Sequence, residues 1–485
     1  MCTLDKQLTR DEAYTMTEFE CCYDFQFKSL ADVKHVLQQQ KIDYALLKVL
    51  PKNANDKNQV YVASDFKVLH PTFSMTFQER GQSTSLTKSK SNAGKRIPEA
   101  IFDDFKWLRN DGELVEAKNV KAIIYAQYPE ARLSGFQAVD NSMPRALSVE
   151  YTKQKEVPPR LLILGKTPTG GAVGIFCTFP TDSLINEVKA LEGVYGSKVT
   201  KKLQLESNRT TKLEAILSDV VKHIHDGCRF DKHGVKIPFN GTQVCGYTLE
   251  HACGIVPNSN KDGDIFGIEL KTHTKPKVTL FTPEPDFGCY AENFNNFMTT
   301  YGYQDDKGNW RLTGLHRANI KCEKSGLTLT VRTSTYDDTS KEVVYLDFNP
   351  DKSLTSQMDS IEVVLLDDND IVAAGWSLER LMNCWGSKHN EVVYVAASKT
   401  NHSNASKVEE GYKYEVSFDN TVMWCHETSA DHLFKAIHNG TIFLDPAPKY
   451  CPDNLKDNKR RSQWRVNNVR KASLELYEKT KDISL

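Results

Sequence analysis

The chain reads as α/β, with a β-rich (α+β) N-terminal part followed by a C-terminal mixed sheet flanked by helices. Three observations predict this. Short apolar runs of strand length recur through most of the chain, including Gln59–Ala63, Val120–Tyr128, Arg160–Gly165, Ala172–Thr178, Val343–Phe348 and Ile361–Leu366. Helical spacing is confined to a few segments between them, such as Leu30–Gln38, Leu184–Leu191 and Leu213–Val221. At 485 residues the chain is also too long for one core.

The polar interval Gln204–Thr211 marks the expected boundary. Residues 1–195 are then a β-rich accessory domain, 196–212 a linker, and 213–485 a second domain. Within the first, Gly81–Arg96 is rich in Ser, Thr, Lys and Asn and carries Lys88, Lys90, Lys95 and Arg96 without an acid. It reads equally well as a basic loop touching a phosphate backbone and as a solvated loop without function. Gly165–Gly171 lacks the Gly-x4-Gly-Lys-Ser/Thr order of a nucleotide-binding loop and reads as a glycine hairpin turn.

Composition excludes several classes. Hydrophobic content of 39% and charged content of 26% are those of a soluble globular protein, and the formal net charge of −1 means that any DNA footprint is a local basic patch. No apolar run approaches the ~20 residues of a membrane span, and Met1–Lys6 lacks the apolar core of a signal peptide. The twelve cysteines show no zinc-ligand spacing; His223, His225 and Cys228 come nearest, and a polar helix end explains them better. Free thiols in a reducing cytoplasm are the expectation.

The chemistry concentrates in Lys261–His273. The second half of this stretch is strand-like, so Glu269, Lys271 and His273 share one face. Asp264 has the wrong parity to join them on a straight strand, and a bulge or bend at Gly267 would bring it back. Two carboxylates and an ammonium then converge. A hard cation such as Mg²⁺ takes one or two carboxylates plus waters and phosphate oxygens, and lowers the pKa of a bound water. Lys271 would favour hydroxide beside it, and Glu250 would reach the same pocket from the helical run Gly246–Gly254 as an outer ligand or a positioner of waters. The alternative is a solvated hairpin whose charges pair across its surface, and such pairs stabilise little.

Asp264, then Glu269-Leu-Lys271, with Gly246-Tyr-Thr-Leu-Glu250 upstream, resembles the PD-(D/E)XK nucleases, and specifically the MvaI/BcnI restriction endonucleases and their mismatch-repair relative MutH. The resemblance implies a restriction-endonuclease-like fold for the second domain, with the catalytic strands central in the sheet and the cleft at one edge. It also implies Asp264, Glu269, Lys271 and Glu250 as catalytic residues, with Asp264 and Glu269 holding Mg²⁺. Trp376–Lys388 resembles a family run that precedes a strand, so Lys388 either reaches the cleft or is a surface lysine; His273 is a further candidate. Near the C-terminus, Asn454–Lys471 holds seven basic residues against one acid. It resembles a target-recognition run of the family, with Arg460, Arg461 and Arg465 as DNA-binding candidates, although Ser462 stands where a glycine is expected.

The function implied is a Type II-like restriction endonuclease, hydrolysing double-stranded DNA at a short site with Mg²⁺. It would act as a monomer in a bacterial or archaeal cytoplasm, with a cognate methyltransferase as a candidate genetic partner. Three alternatives stay open: a MutH-like nicking enzyme, a modification-dependent nuclease directed by the N-terminal domain, and a DNA-binding protein with a decayed site.

Overall fold

The computed structural model describes residues 22–51, 59–63, 68–79, 98–125, 130–152, 154, 156–194, 197, 199–205, 209–256, 263–337, 339–357 and 360–485. Lys88, Lys90, Lys95 and Arg96 lie outside them, as does the Pro257 loop.

Two sheets build the N-terminal half. One is six-stranded, in the order Lys201–Gln204, Tyr44–Leu50, Arg160–Lys166, Ala172–Cys177, Phe105–Leu108, Leu114–Glu116. Its two central strands, Arg160–Lys166 and Ala172–Cys177, are almost wholly buried and read as near-continuous apolar runs. The other is a five-stranded antiparallel sheet in the order Val60–Ala63, Glu130–Ser134, Lys121–Tyr125, Pro98–Phe102, Met75–Glu79. The strand Lys201–Gln204 pairs with Tyr44–Leu47 inside the interval expected to be a linker. The alternation of that short strand is too brief to stand out from its polar surroundings.

The C-terminal half carries a mixed sheet. Glu391–Asn401 runs parallel to Glu269–His273 on one side and antiparallel to Tyr414–His426 on the other, and the latter also pairs with Lys479–Ser484 and His225–Asp226. Helices Arg209–Val220 and Val244–Ala252 cover it, burying Leu213, Leu217 and Val220, and Val244, Cys245, Thr248 and Leu249. Two expectations change here. The strand Glu269–His273 stands at the end of its ladder rather than in the centre. The later apolar runs do not extend that sheet: Glu342–Asp347, Thr328–Asp337, Ser360–Leu366 and Val372–Ser377 form a separate antiparallel meander, and Val278–Phe281 joins Trp464–Val466 and Phe443–Leu444. Apolar strands reveal their existence in sequence, but not their partners.

Each half has a private core: one gathers Phe27, Leu37, Ile163 and Ile175, and another Leu217, Leu249, Ile268 and Val393. A third, larger cluster runs through both halves, from Phe73, Phe77 and Phe102 to Met382, Trp385 and Phe434. Helix Leu378–Trp385 is the joint. Ser377 caps it by accepting from the Arg380 amide, and Leu378, Leu381, Met382 and Trp385 recur at the spacing of one buried face. Its Asn383 side chain accepts from the Phe77 amide (2.8 Å) and donates to the Phe77 carbonyl (3.2 Å), so it closes the open edge of Met75–Glu79 as a neighbouring strand would. Among the described residues no helix is long and apolar enough to cross a membrane.

Candidate active site

Asp264 reaches the strand Glu269–His273 by a tight turn rather than by a bulge. The Asp264 and Ile265 amides both donate to the Ile268 carbonyl, and the Ile268 amide donates back to Ile265. The two residues at the tip, Phe266 and Gly267, have φ of 55° and 75°. Positive φ at both central positions is the geometry of the tightest hairpin turns. Gly263, at φ 82°, makes the closest approach: a Cβ there would lie 2.8 Å from the Gly267 carbonyl carbon. Folded back in this way, Asp264 accepts from the Leu270 amide at 2.8 Å through Oδ2.

Glu269 opens the strand and is buried. Lys271, two residues on and on the same face, places Nζ 3.0 Å from Glu269 Oε1, and Lys388 places Nζ 3.1 Å from Oε2. One carboxylate thus sits between two ammonium groups. Lys388 arrives from the short turn Ser387–His389 that ends helix Leu378–Trp385. Its neighbour His389 is fully buried and stacks on Trp385 at 4.4 Å, which anchors the backbone from which Lys388 extends. Burial pulls the Lys388 ammonium down, but the charges of Glu269 and Asp264 outweigh it and hold the group above its ordinary range.

The acids respond in the opposite sense. Burial, reinforced by the charge of Glu269, lifts the Asp264 carboxyl to about 6. Glu250, on helix Val244–Ala252, is lifted to about 7 by burial and then by Asp264 and Glu269. Carboxyls held this far above their usual range are poised to exchange protons for a cation. Among the described residues no three His, Cys, Asp or Glu groups gather into a ready cage.

These groups line a cleft of about 1020 Å³. His273 borders it at the far end of the strand, and burial lowers its imidazole below the ordinary range. Arg460, Arg461 and Arg465 line the same cleft. The Arg460 guanidinium lies over the rings of Phe294 (4.8 Å) and Tyr290 (5.4 Å). Arg465 donates through Nη1 to Asp445 at 2.7 Å and through Nε to Thr279 at 2.9 Å. Ser462 is buried, and its amide and hydroxyl both donate to Glu284, which also accepts from the Tyr290 hydroxyl. Trp464 lies in the core against Phe281 and Trp376, not in the cleft.

Sequence reasoning missed Glu284, Thr279, Lys277 and Lys399, which also line the cleft. Lys277 donates to the same Asp445 at 2.7 Å. The alternation Lys271, Lys275, Lys277 was a usable signal for a basic wall. Glu284 sits in an irregular Pro-flanked loop and carried none.

The profile of the MvaI/BcnI restriction endonuclease family matches residues 221–476. Among solved structures, "Restriction endonuclease MvaI-cognate DNA substrate complex" is similar at 20% identity and a TM-score of 0.39, covering 57% of this chain and 98% of that one. "Restriction endonuclease MvaI in the absence of DNA" is similar at 19% identity and a TM-score of 0.31, covering 58% and 100%. No curated protein matches the chain. With more than half of its length matched by the family profile, the chain belongs to the MvaI/BcnI restriction endonuclease family.

Proposed function

We propose that the protein is a Type II-like, Mg²⁺-dependent endonuclease that hydrolyses phosphodiester bonds in duplex DNA at a short specific sequence. The observation that carries this is a single cleft lined by Asp264, Glu269, Lys271 and Lys388 together with Arg460, Arg461 and Arg465.

Asp264 and Glu269, with the carbonyl of Leu270, would hold the ion, and Glu250 would orient waters around it. When bound, Mg²⁺ supplies a lowered water pKa and offsets charge on the phosphate. Lys271 stabilises hydroxide and the added negative charge of the pentacovalent phosphate, since an ammonium nearby favours both anions. Lys388 holds the Glu269 carboxylate in place through its ion pair. The cleft arginines bind the duplex: Arg460, resting over two rings, and Arg465, held by Asp445, are already restrained, so less side-chain freedom is lost on binding. The N-terminal half, bounded near residue 200, adds affinity or target discrimination.

Incubating plasmid DNA with the purified protein tests the reading directly. Cleavage should need Mg²⁺, stop with EDTA, and give fragment ends that share one sequence. Glu269→Ala or Lys271→Ala should abolish cleavage while duplex binding in Ca²⁺ persists. Wild-type cleavage by both variants would refute the assignment.

A further inference from the structure

We infer that Arg209 is a positioning residue through which the N-terminal half holds the turn that carries Asp264. The inference rests on the proposed divalent-ion site at that turn.

Arg209 begins helix Arg209–Val220 and lies ahead of the segment that matches the family profile. Among the described residues its guanidinium meets three separate parts of the fold. One nitrogen, Nη1, donates to the Phe266 carbonyl at 3.3 Å. Another, Nη2, donates to Glu391 Oε2 at 2.7 Å, and Nε lies 3.3 Å from Asp43 Oδ2. Asp43 belongs to the N-terminal half, immediately before the strand Tyr44–Leu50. Phe266 is at the tip of the active-site turn. Glu391 begins the strand that runs beside Glu269–His273, three residues after Lys388.

Three physical points favour a working role over a simple clasp. Phe266 holds φ 55°, a conformation that is costly for an aromatic residue and persists only where the surroundings over-determine it. A charge-assisted donor on its carbonyl is such a restraint. The planar, forked guanidinium can serve three acceptors at fixed angles, which an ammonium on a flexible stem cannot reproduce. Finally, Arg209 and Glu391 border a cavity of about 350 Å³ between the halves. At this point ionic contacts rather than close apolar packing connect Asp43 to the catalytic turn.

Without Arg209 the turn relaxes and Asp264 loses its register with Glu269. Cation binding and the chemical step suffer, while duplex affinity, set by the cleft arginines, does not. The test uses the full-length protein with Arg209→Gln, Arg209→Lys and Asp43→Asn. Calorimetry measures Mn²⁺ binding without DNA, a mobility assay measures duplex binding in Ca²⁺, and single-turnover cleavage is followed against Mg²⁺ concentration. Arg209→Gln should weaken Mn²⁺ binding about 10-fold or more, as losing a supporting contact to a metal site does, with duplex affinity unchanged. Arg209→Lys should recover little, and Asp43→Asn should shift Mn²⁺ binding in the same direction by less. Wild-type Mn²⁺ affinity and rate in Arg209→Gln, with only a lower melting temperature, would overturn the inference. Should that variant not fold, Asp43→Asn decides, and unchanged Mn²⁺ binding there overturns it equally. A wild-type protein that neither binds Mn²⁺ nor cuts DNA sinks the proposed function and this inference together; wild-type behaviour of the variants sinks the coupling alone.

Discussion

Glu250 and Asp264 are carboxyls that burial has made reluctant to ionise, at about 7 and about 6. An acid whose folded-state pKa is raised binds its proton more tightly when folded. It contributes stability below its unfolded value of about 4 that is lost as pH rises through the folded value. The cation-free protein should therefore lose melting temperature between pH 5 and 7.5, and Glu250→Gln should flatten part of that loss. Protons and cations compete for the same oxygens, so Mn²⁺ should raise the melting temperature more at pH 7.5 than at pH 5; equal shifts at both would contradict the raised values. In the same cleft, Arg461→Ala should weaken binding of all duplexes alike and reduce the salt slope by about 1 if Arg461 meets phosphate. Loss of discrimination at one base pair, by about 1–3 kcal/mol, would show instead that it reads a base. Competition binding with single-base variants separates the two.

The turn Gly263–Ile268 and helix Leu378–Trp385 are the elements on which the site depends. In the turn, a methyl group at Gly263 would collide with backbone at 2.8–2.9 Å, in a conformation that L residues rarely adopt. Gly263→Ala should therefore cost roughly 1–3 kcal/mol in denaturant unfolding and should reduce cleavage more than duplex binding. The helix works through two faces. Its apolar face sits in the shared core, and Asn383 completes the edge of Met75–Glu79. Asn383→Ala should destabilise the protein by about 1–3 kcal/mol, because it removes both hydrogen bonds that Asn383 makes to the Phe77 backbone. Since Lys388 follows the same helix, its contact with Glu269 should weaken too, which Mn²⁺ titration would detect.

At the scale of the whole molecule, the two halves are bound by one continuous apolar cluster as well as by ions. A truncation that removes residues 1–195 would strip Phe77 and Phe102 from Met382 and Trp385 and leave Lys201–Gln204 without its partner strand. The truncated chain should aggregate or melt well below the full-length protein; a soluble, two-state fragment of undiminished stability would show that the C-terminal half folds alone. Read from the residues alone, the α/β class, the strand bearing Glu269 and Lys271, the helix bearing Glu250 and the basic run at Arg460–Arg465 were all legible, because each is written in local periodicity or short spacing. The separate meander, the edge position of Glu269–His273, the hydrogen-bonded form of the bend at Gly267, and the work of Asn383, Glu284, Asp445 and Arg209 were not. Those depend on contacts between residues mostly far apart in sequence, such as Asn383 with Phe77 or Arg209 with Asp43 and Glu391. A single side chain's identity says what it can donate or accept, whereas what it meets is settled only when burial forces distant segments to satisfy one another's polar groups and apolar surface.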